Sequence, residues 1–282
     1  MTYKYISGFS DEISENVLIQ FEVLKKLGIS YFEPRGINGK NISELSDEEV
    51  TELKAAMEQY GILASSIGSP IGKVKLSDDW EAQFALFQRV VTIAKKLDTR
   101  YIRIFSFYHE GGEWTAEERA EVLNRLKKMI DYAAEQKVIL LHENEKDIYG
   151  DTKERCLDLM KELACEHFQA VFDPANFVQC GQDTREAFAL LKDYVAYMHI
   201  KDACFADGSV VPSGQGDGNV EDILQKLFER GYEGYLSLEP HLGSFQGLAA
   251  LEQSDEMLKL PEGGEGTFTL AYLALEKILE RI

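Results

Sequence analysis

Residues 138–151 read VILLHENEKDIYGD. The stretch opens on the apolar run Val138-Ile139-Leu140-Leu141 and passes without a spacer to His142, Glu143, Asn144 and Glu145. A short apolar run between helix-like segments reads as a buried parallel strand. Charges at the end of such a strand are costly unless they have partners. Alternate residues of a strand share a face, so Ile139, Leu141, Glu143 and Glu145 point one way and His142 and Asn144 the other. Two carboxylates thus project together at the mouth of a hydrophobic strand, which calls for a metal, a Lys or an Arg.

Working outward, the same strand–helix alternation recurs along the chain. The strands expected before this one are Tyr5 to Phe9, Ile29 to Glu33, Ile62 to Ile67 and Tyr101 to Phe107. Those after it are Phe168 to Asp173, Ala196 to Ile200 and Tyr235 to Glu239. Helices are marked by their ends. Gly28, Gly61 and Gly231 stop three of them. Ser46 with Glu49, Thr115 with Glu118, Asp151 with Glu154 and Asp183 with Glu186 have capping-box spacing. A last amphipathic helix is expected over Thr267 to Ile282. Eight strands alternating with eight helices predict an α/β protein with a parallel sheet. Eight units in 282 residues point to a single closed (β/α)8 barrel over 1–282, the TIM-barrel class, rather than an open sheet. No dinucleotide fingerprint follows the first strand.

Composition narrows the function. A net charge of −19 repels phosphate backbones and argues against a nucleic-acid partner. The acidity serves solubility, and part of it could help to hold a divalent cation. No apolar run approaches the ~18–20 residues of a membrane span, and the N-terminus lacks the pattern of a signal peptide. Cys156, Cys165, Cys180 and Cys204 form no C-x-x-C pair, as expected of reduced thiols in a cytoplasm. Trp114, Tyr108 and Phe245 in expected loops are candidates for a lid or for the contact of a homo-oligomer.

Catalytic groups of such barrels collect at the C-terminal ends of the strands. The strand ends here supply Glu33, Arg103, Glu143 with Glu145, Asp173, His199 with Lys201, and Glu239 with His241. Glu143, Asp173, His199 and Glu239 come from four consecutive strands, so they can converge. Three carboxylates and an imidazole make a hard, oxygen-rich set suited to one Mn2+, Mg2+, Co2+ or Zn2+ ion with positions left open. A closed structural zinc site is not indicated.

The segments HENE (142–145), FDPAN (172–176), MHIKD (198–202) and LSLEPH (236–241) together make the chain resemble the sugar phosphate isomerase/epimerase group of the xylose isomerase-like TIM-barrel superfamily. The resemblance spans nearly the whole chain. It implies that Glu143, Asp173, His199 and Glu239 bind one divalent metal. It also implies that Glu143 and Glu239 act as acid and base on opposite faces of the substrate, while Asp173 and His199 are ligands only. Asn176 stands where ketose epimerases similar to tagatose epimerase have a His. The expected reaction is proton abstraction next to a carbonyl through an enediolate, giving isomerisation or epimerisation of a sugar or polyol. Two alternatives stand beside it: dehydration of a keto-polyol such as an inosose, and sugar binding without catalysis. A three-zinc DNA-repair endonuclease resembling endonuclease IV would need more histidines than the five present.

Glu33, Arg103, Glu145, Lys201 and His241 are candidates to bind substrate. Each also has a structural reading. Glu145 could pair with Lys146 or Lys201, and Arg103 with Glu33 or Glu143. Lys201 and Asp202 could orient His199 or anchor a loop, and His241 could lie on the barrel rim. His109 and His167 read as surface residues. The backbone N–H groups of the loop Ser213-Gly214-Gln215-Gly216-Asp217-Gly218 could cradle a sugar hydroxyl or a phosphate, but the loop reads rather as a flexible turn into the next helix. With no Lys or Arg in it, a phosphorylated substrate is not indicated.

Overall fold

The computed structural model describes residues 3–242 and 260–282; Phe245 lies outside them. The eight expected strands are present: β1 (Ile6–Gly8), β2 (Tyr31–Phe32), β3 (Leu63–Ala64), β4 (Tyr101–Ile104), β5 (Ile139–Glu143), β6 (Phe168–Phe172), β7 (Val195–Ile200) and β8 (Tyr235–Leu238). Six form a continuous parallel sheet in the order β1-β8-β7-β6-β5-β4, and β2 pairs with β3 in parallel. Backbone hydrogen bonds join these two pieces. Glu33 N–H donates to the Gly8 carbonyl at 2.9 Å, and Ile67 pairs with Ile102 beside β4. The ring is the (β/α)8 barrel expected. Except for β7, which starts one residue earlier at Val195, its strands are shorter than read from sequence because pairing beyond them passes to such single bridges.

The helices are α1 (Val17–Lys26), α2 (Asp47–Tyr60), α3 (Trp80–Lys96), α4 (Ala116–Gln136), α5 (Lys153–Leu163), α6 (Pro174–Gln179), α7 (Thr184–Leu191), α8 (Val220–Glu229) and α9 (Gly264–Leu279). Among the described residues this is one more than expected. The extra one, α6, begins because Pro174 sits at its first position, where a missing N–H costs nothing, and Asp173 caps it. The capping boxes at Ser46 and Thr115 are formed. The one at Asp151 is not: Thr152 caps α5 by accepting from Arg155 N, and Asp151 bonds the Arg155 guanidinium instead. Helix α9 starts at Gly264 rather than Thr267. No described helix is long and apolar enough to cross a membrane.

The largest apolar cluster packs the strands against the helices, with Phe21, Phe32, Phe87 and Phe268 fully buried. Inside the barrel, Ile139, Leu141, Val171 and Tyr197 form a separate cluster. Tyr5, Tyr31, Tyr101 and Tyr235 sit edge-on around the same interior, with ring centroids 5.0–6.3 Å apart. Ile139 and Leu141 face inward as alternation requires, which aims Glu143, next on that face, at the interior too. The opposite face carries His142, whose Nε2 lies 2.9 Å from Ser106 Oγ in a buried contact; burial pushes its pKa down to about 4. His109 stacks on Trp114, which packs on Tyr149, and His167 bonds the Val138 carbonyl. Both histidines are half-buried rather than surface residues.

Candidate metal centre

Glu143, Asp173, His199 and Glu239 converge at the C-terminal ends of β5 to β8. All four are buried, and one ligand atom from each lies within 4.8 Å of the others. His199 Nδ1 is 2.9 Å from Glu143 Oε1, 3.7 Å from Glu239 Oε2 and 3.8 Å from Asp173 Oδ2. Its other nitrogen, Nε2, faces Glu33 Oε2 at 3.4 Å. With both nitrogens beside carboxylates the imidazole carries both protons; a bound cation would displace the one on Nδ1, leaving Nε2–H toward Glu33 and the Nδ1 lone pair toward the centre.

Local bonds divide each carboxylate between scaffold and centre. Asp173 Oδ1 accepts from Asn176 N at 2.8 Å as the cap of α6, leaving Oδ2 facing inward. Asn144 Nδ2 donates to the Asp173 carbonyl while Asn144 Oδ1 accepts from Asp173 N, both at 2.9 Å. This reciprocal clamp ties the ends of β5 and β6. Asn176 Nδ2 donates to Glu143 Oε1 at 3.2 Å and to the Asn144 carbonyl at 2.9 Å. The Asn in place of a His thus holds Glu143.

Four carboxylates (Glu33, Glu143, Asp173, Glu239) meet two cations that face no others, Arg103 and Lys201. Arg103 Nη1 lies 3.2 Å from Glu143 Oε2. Lys201 Nζ lies 2.9 Å from Asp173 Oδ2 and 2.8 Å from Glu239 Oε2. Asp173 Oδ2, Glu143 Oε2 and His199 Nε2 nevertheless have no aligned hydrogen-bond partner, although they are buried. Buried polar atoms left so are expensive. An oxygen-rich donor set with surplus negative charge and unsatisfied ligand atoms fits a divalent cation.

The protonation equilibria express the same charge imbalance. Burial raises the Asp173 carboxyl; Lys201 opposes this, Glu239 and Glu143 add to it, and the result is about 7. Burial would lower His199, but Glu143 and Glu33 outweigh it and push the imidazole up to about 10. Burial would raise Glu143, but His199 and Arg103 outweigh it and hold it down at about 2. Lys201, with His241, His199 and Arg35, overcomes burial and holds Glu239 well below the usual carboxylate range.

The other candidates fall in three places. Arg103 and Lys201 touch the centre. Glu33 lies beneath His199, where it accepts from Tyr197 Oη at 2.9 Å and Ser237 Oγ at 2.7 Å, so it faces away from the cleft. Glu145 is at the rim and pairs with Lys73 at 2.9 Å, not with Lys146 or Lys201. His241 is exposed, with Nε2 3.2 Å from Glu12 and 3.4 Å from Glu239.

Arg35, Glu12 and Lys73 escaped the sequence reading, as did the bonds that Asn144 and Asn176 make. Arg35 Nη1 reaches Glu239 Oε1 at 3.1 Å. It shares strand parity with Glu33, a signal that could have found it. Burial raises the Glu12 carboxyl, with Glu239 adding and Arg35 opposing, to about 7. The Gly-rich loop is not a free turn but a cradle filled by the chain's own carboxylate. Its Gly214, Gly216 and Gly218 N–H groups donate to the Asp202 carboxylate at 2.8, 3.1 and 2.8 Å. A Cβ on Gly216 or Gly218 would come within 2.5–2.6 Å of Asp202 Oδ1, so glycine is required for this approach.

The chain is similar to several known proteins. It is 22% identical to a 3-dehydroshikimate dehydratase of Bacillus anthracis over 80% of this chain and 85% of the relative. It is 23% identical to a probable L-ribulose-5-phosphate 3-epimerase, UlaE, of Mycoplasma pneumoniae over 65% of this chain and 62% of the relative. The crystal structure of the IOLI protein with a bound zinc atom superposes with a TM-score of 0.77 at 16% identity, covering 98% of each chain. The family model described as xylose isomerase-like TIM barrel matches residues 21–260. With the barrel and its converging strand ends, this match establishes that the chain belongs to the xylose isomerase-like TIM barrel family.

Proposed function

We propose that the protein is a divalent-metal-dependent isomerase or epimerase that moves a proton at a carbon next to a carbonyl in a small sugar or polyol. The observation that carries this reading is the buried set Glu143, Asp173, His199 and Glu239, whose ligand atoms lie within 4.8 Å of one another. These four residues would hold the ion. When bound, the ion supplies Lewis-acid polarisation that acidifies a C–H beside a carbonyl. Glu143 and Glu239 approach from β5 and β8, on different sides of the centre, and are the proposed proton carriers for the two faces of the substrate. Lys201, paired with Asp173 and Glu239, is the proposed positioning residue for these two carboxylates. Arg103 and Arg35 keep the two glutamates ionised. Glu145 and His241, at the rim, are the proposed contacts to substrate hydroxyls.

A second reading, dehydration of a keto-polyol or cyclic hydroxy ketone, draws support from the dehydratase relative. It shares the first proton abstraction and differs in the next step, where the electron pair expels a hydroxyl from the adjacent carbon. One experiment separates the readings. Protein loaded with Mn2+ is incubated in D2O with ketoses, inososes and 3-dehydroshikimate and followed by NMR and absorbance. Deuterium entering next to the carbonyl without loss of water is expected for the isomerase or epimerase. A new conjugated absorbance without a rearranged sugar assigns the dehydratase. Metal-loaded protein that exchanges no C–H on any compound would sink both.

A further inference from the structure

We infer that the substrate is an uncharged hydroxylated carbonyl compound, and that Glu145, by neutralising Lys73, is a specificity-determining residue of the site. The inference rests on the proposed function for the identity of the site and adds the charge class of its ligand.

Anion recognition needs a cation or a cluster of N–H groups whose charge is not already taken. Among the described residues, four cationic side chains contact the carboxylates of the strand mouth, and each is occupied; Lys146, next to Glu145, is exposed. Arg35 faces Asp11 at 2.8 Å, Glu12 at 3.3 Å and Glu239 at 3.1 Å. Lys201 is held between Asp173 and Glu239, and Arg103 faces Glu143. Lys73 pairs with Glu145 at 2.9 Å, and its ammonium lies 4.3 Å over the Phe105 ring. The carboxylates in this ring are Asp11, Glu12, Glu33, Glu143, Glu145, Asp173 and Glu239. With a dication bound and His199 and His241 neutral, seven carboxylates against four cations and the ion leave −1. Protonating Glu12, whose carboxyl burial raises, brings the sum to zero and still yields no positive surplus.

The backbone offers no substitute in the Gly-rich loop. The N–H groups of Gly214, Gly216 and Gly218 point at one carboxylate, that of Asp202. The chain's own anion fills the cradle that a phosphate would take. A phosphate or carboxylate entering this mouth loses its hydration and gains no matching charge, whereas hydroxyl groups find many acceptors. Glu145 is decisive because it is one pleat beyond Glu143 on the same face. Removing its charge would make Lys73, with about a third of its side chain exposed, the one unpaired cation of the four.

The test uses matched pairs with Mn2+-loaded protein: a ketopentose, a ketohexose and an inosose, each against its monophosphate. Deuterium exchange gives kcat/KM, and calorimetric titration of the corresponding unreactive polyols and polyol phosphates gives affinity. The neutral member is expected to be favoured by ~10-fold or more at low ionic strength, with the gap narrowing as salt screens it. Glu145→Gln is expected to shift the ratio toward the phosphate by at least threefold. Equal or better binding of the phosphate, a ratio unmoved by Glu145→Gln, or binding of neither member of any pair overturns the inference. Preferred binding of the neutral polyols with no exchange on any sugar upholds the charge class and instead overturns the proposed function.

Discussion

Glu33, buried outside the cleft, faces the one histidine of the candidate metal centre. It is 1% exposed, and Tyr197 and Ser237 donate to its Oε2. The same oxygen faces His199 Nε2. The carboxylate therefore favours the tautomer that leaves Nδ1 free to face Glu143, Asp173 and Glu239. Glu33→Gln removes the charge and the preference. Loss of such an outer partner weakens metal binding by ~10–100-fold. Competition for Mn2+ against a chelator of known affinity measures this, and an unchanged affinity would show that Glu33 only packs. At this scale much was legible. Alternation on β5, β7 and β8 put Glu143, His199 and Glu239 on inward faces without any knowledge of the loops. Arg35 and the contacts of Asn144 and Asn176 were not read because these partners depend on how the chain turns after each strand. Glu33 was read at a strand end, but its downward contacts require the stagger between β2, β7 and β8.

The elements that carry the site are trimmed by side chains acting on backbone. Asp173 is both the cap of α6 and an inward-facing carboxylate. Sequence reading ended the strand at Asp173 but did not find the helix, since six residues are too few for a periodic signal. Asp202 plays a comparable part after β7, closing the loop around its carboxylate while a short antiparallel hairpin pairs Asp202–Ala203 with Val210–Val211. Asp202→Ala leaves the N–H groups of Gly214, Gly216 and Gly218 without their acceptor. Charge-assisted bonds of this kind contribute about 1.5–3 kcal/mol each and are not additive, so a total loss of ~3 kcal/mol is expected. Urea unfolding followed by circular dichroism tests this; a loss under ~0.5 kcal/mol, the range of ordinary surface substitutions, would refute the anchoring role.

At the scale of the whole molecule, the barrel concentrates negative charge where four strands end, within a chain of net charge −19. A ligand that binds the folded chain alone stabilises it, by ~2.7 kcal/mol at a hundred times its dissociation constant. For a chain of this size, Mn2+ in such excess is expected to raise Tm by roughly 5–8 °C, reversed by chelator. A Tm unmoved by Mn2+, Mg2+, Co2+ or Zn2+ would remove the metal from the proposal. The fold class was readable from alternating patterns and turn glycines because each unit repeats the same local physics. Strand ends were not, because in a closed ring they depend on neighbours that sequence order does not specify.

The two pieces of the ring meet unevenly. Among the described residues, β1 is joined to β8 by three register pairs but to β2 by one backbone hydrogen bond, from Glu33 to Gly8. β2 and β3 share two register pairs, and a single bridge, Ile67 with Ile102, leads on to β4. The N-terminal quarter is thus the least cooperative part of the cylinder. Local opening is cheapest where few bonds must break together, so amide protons of β2 and β3 exchange with solvent ahead of those of β5 to β8. Glu33 stands on that joint, so the residue that orients His199 is also the one that keeps the seam shut.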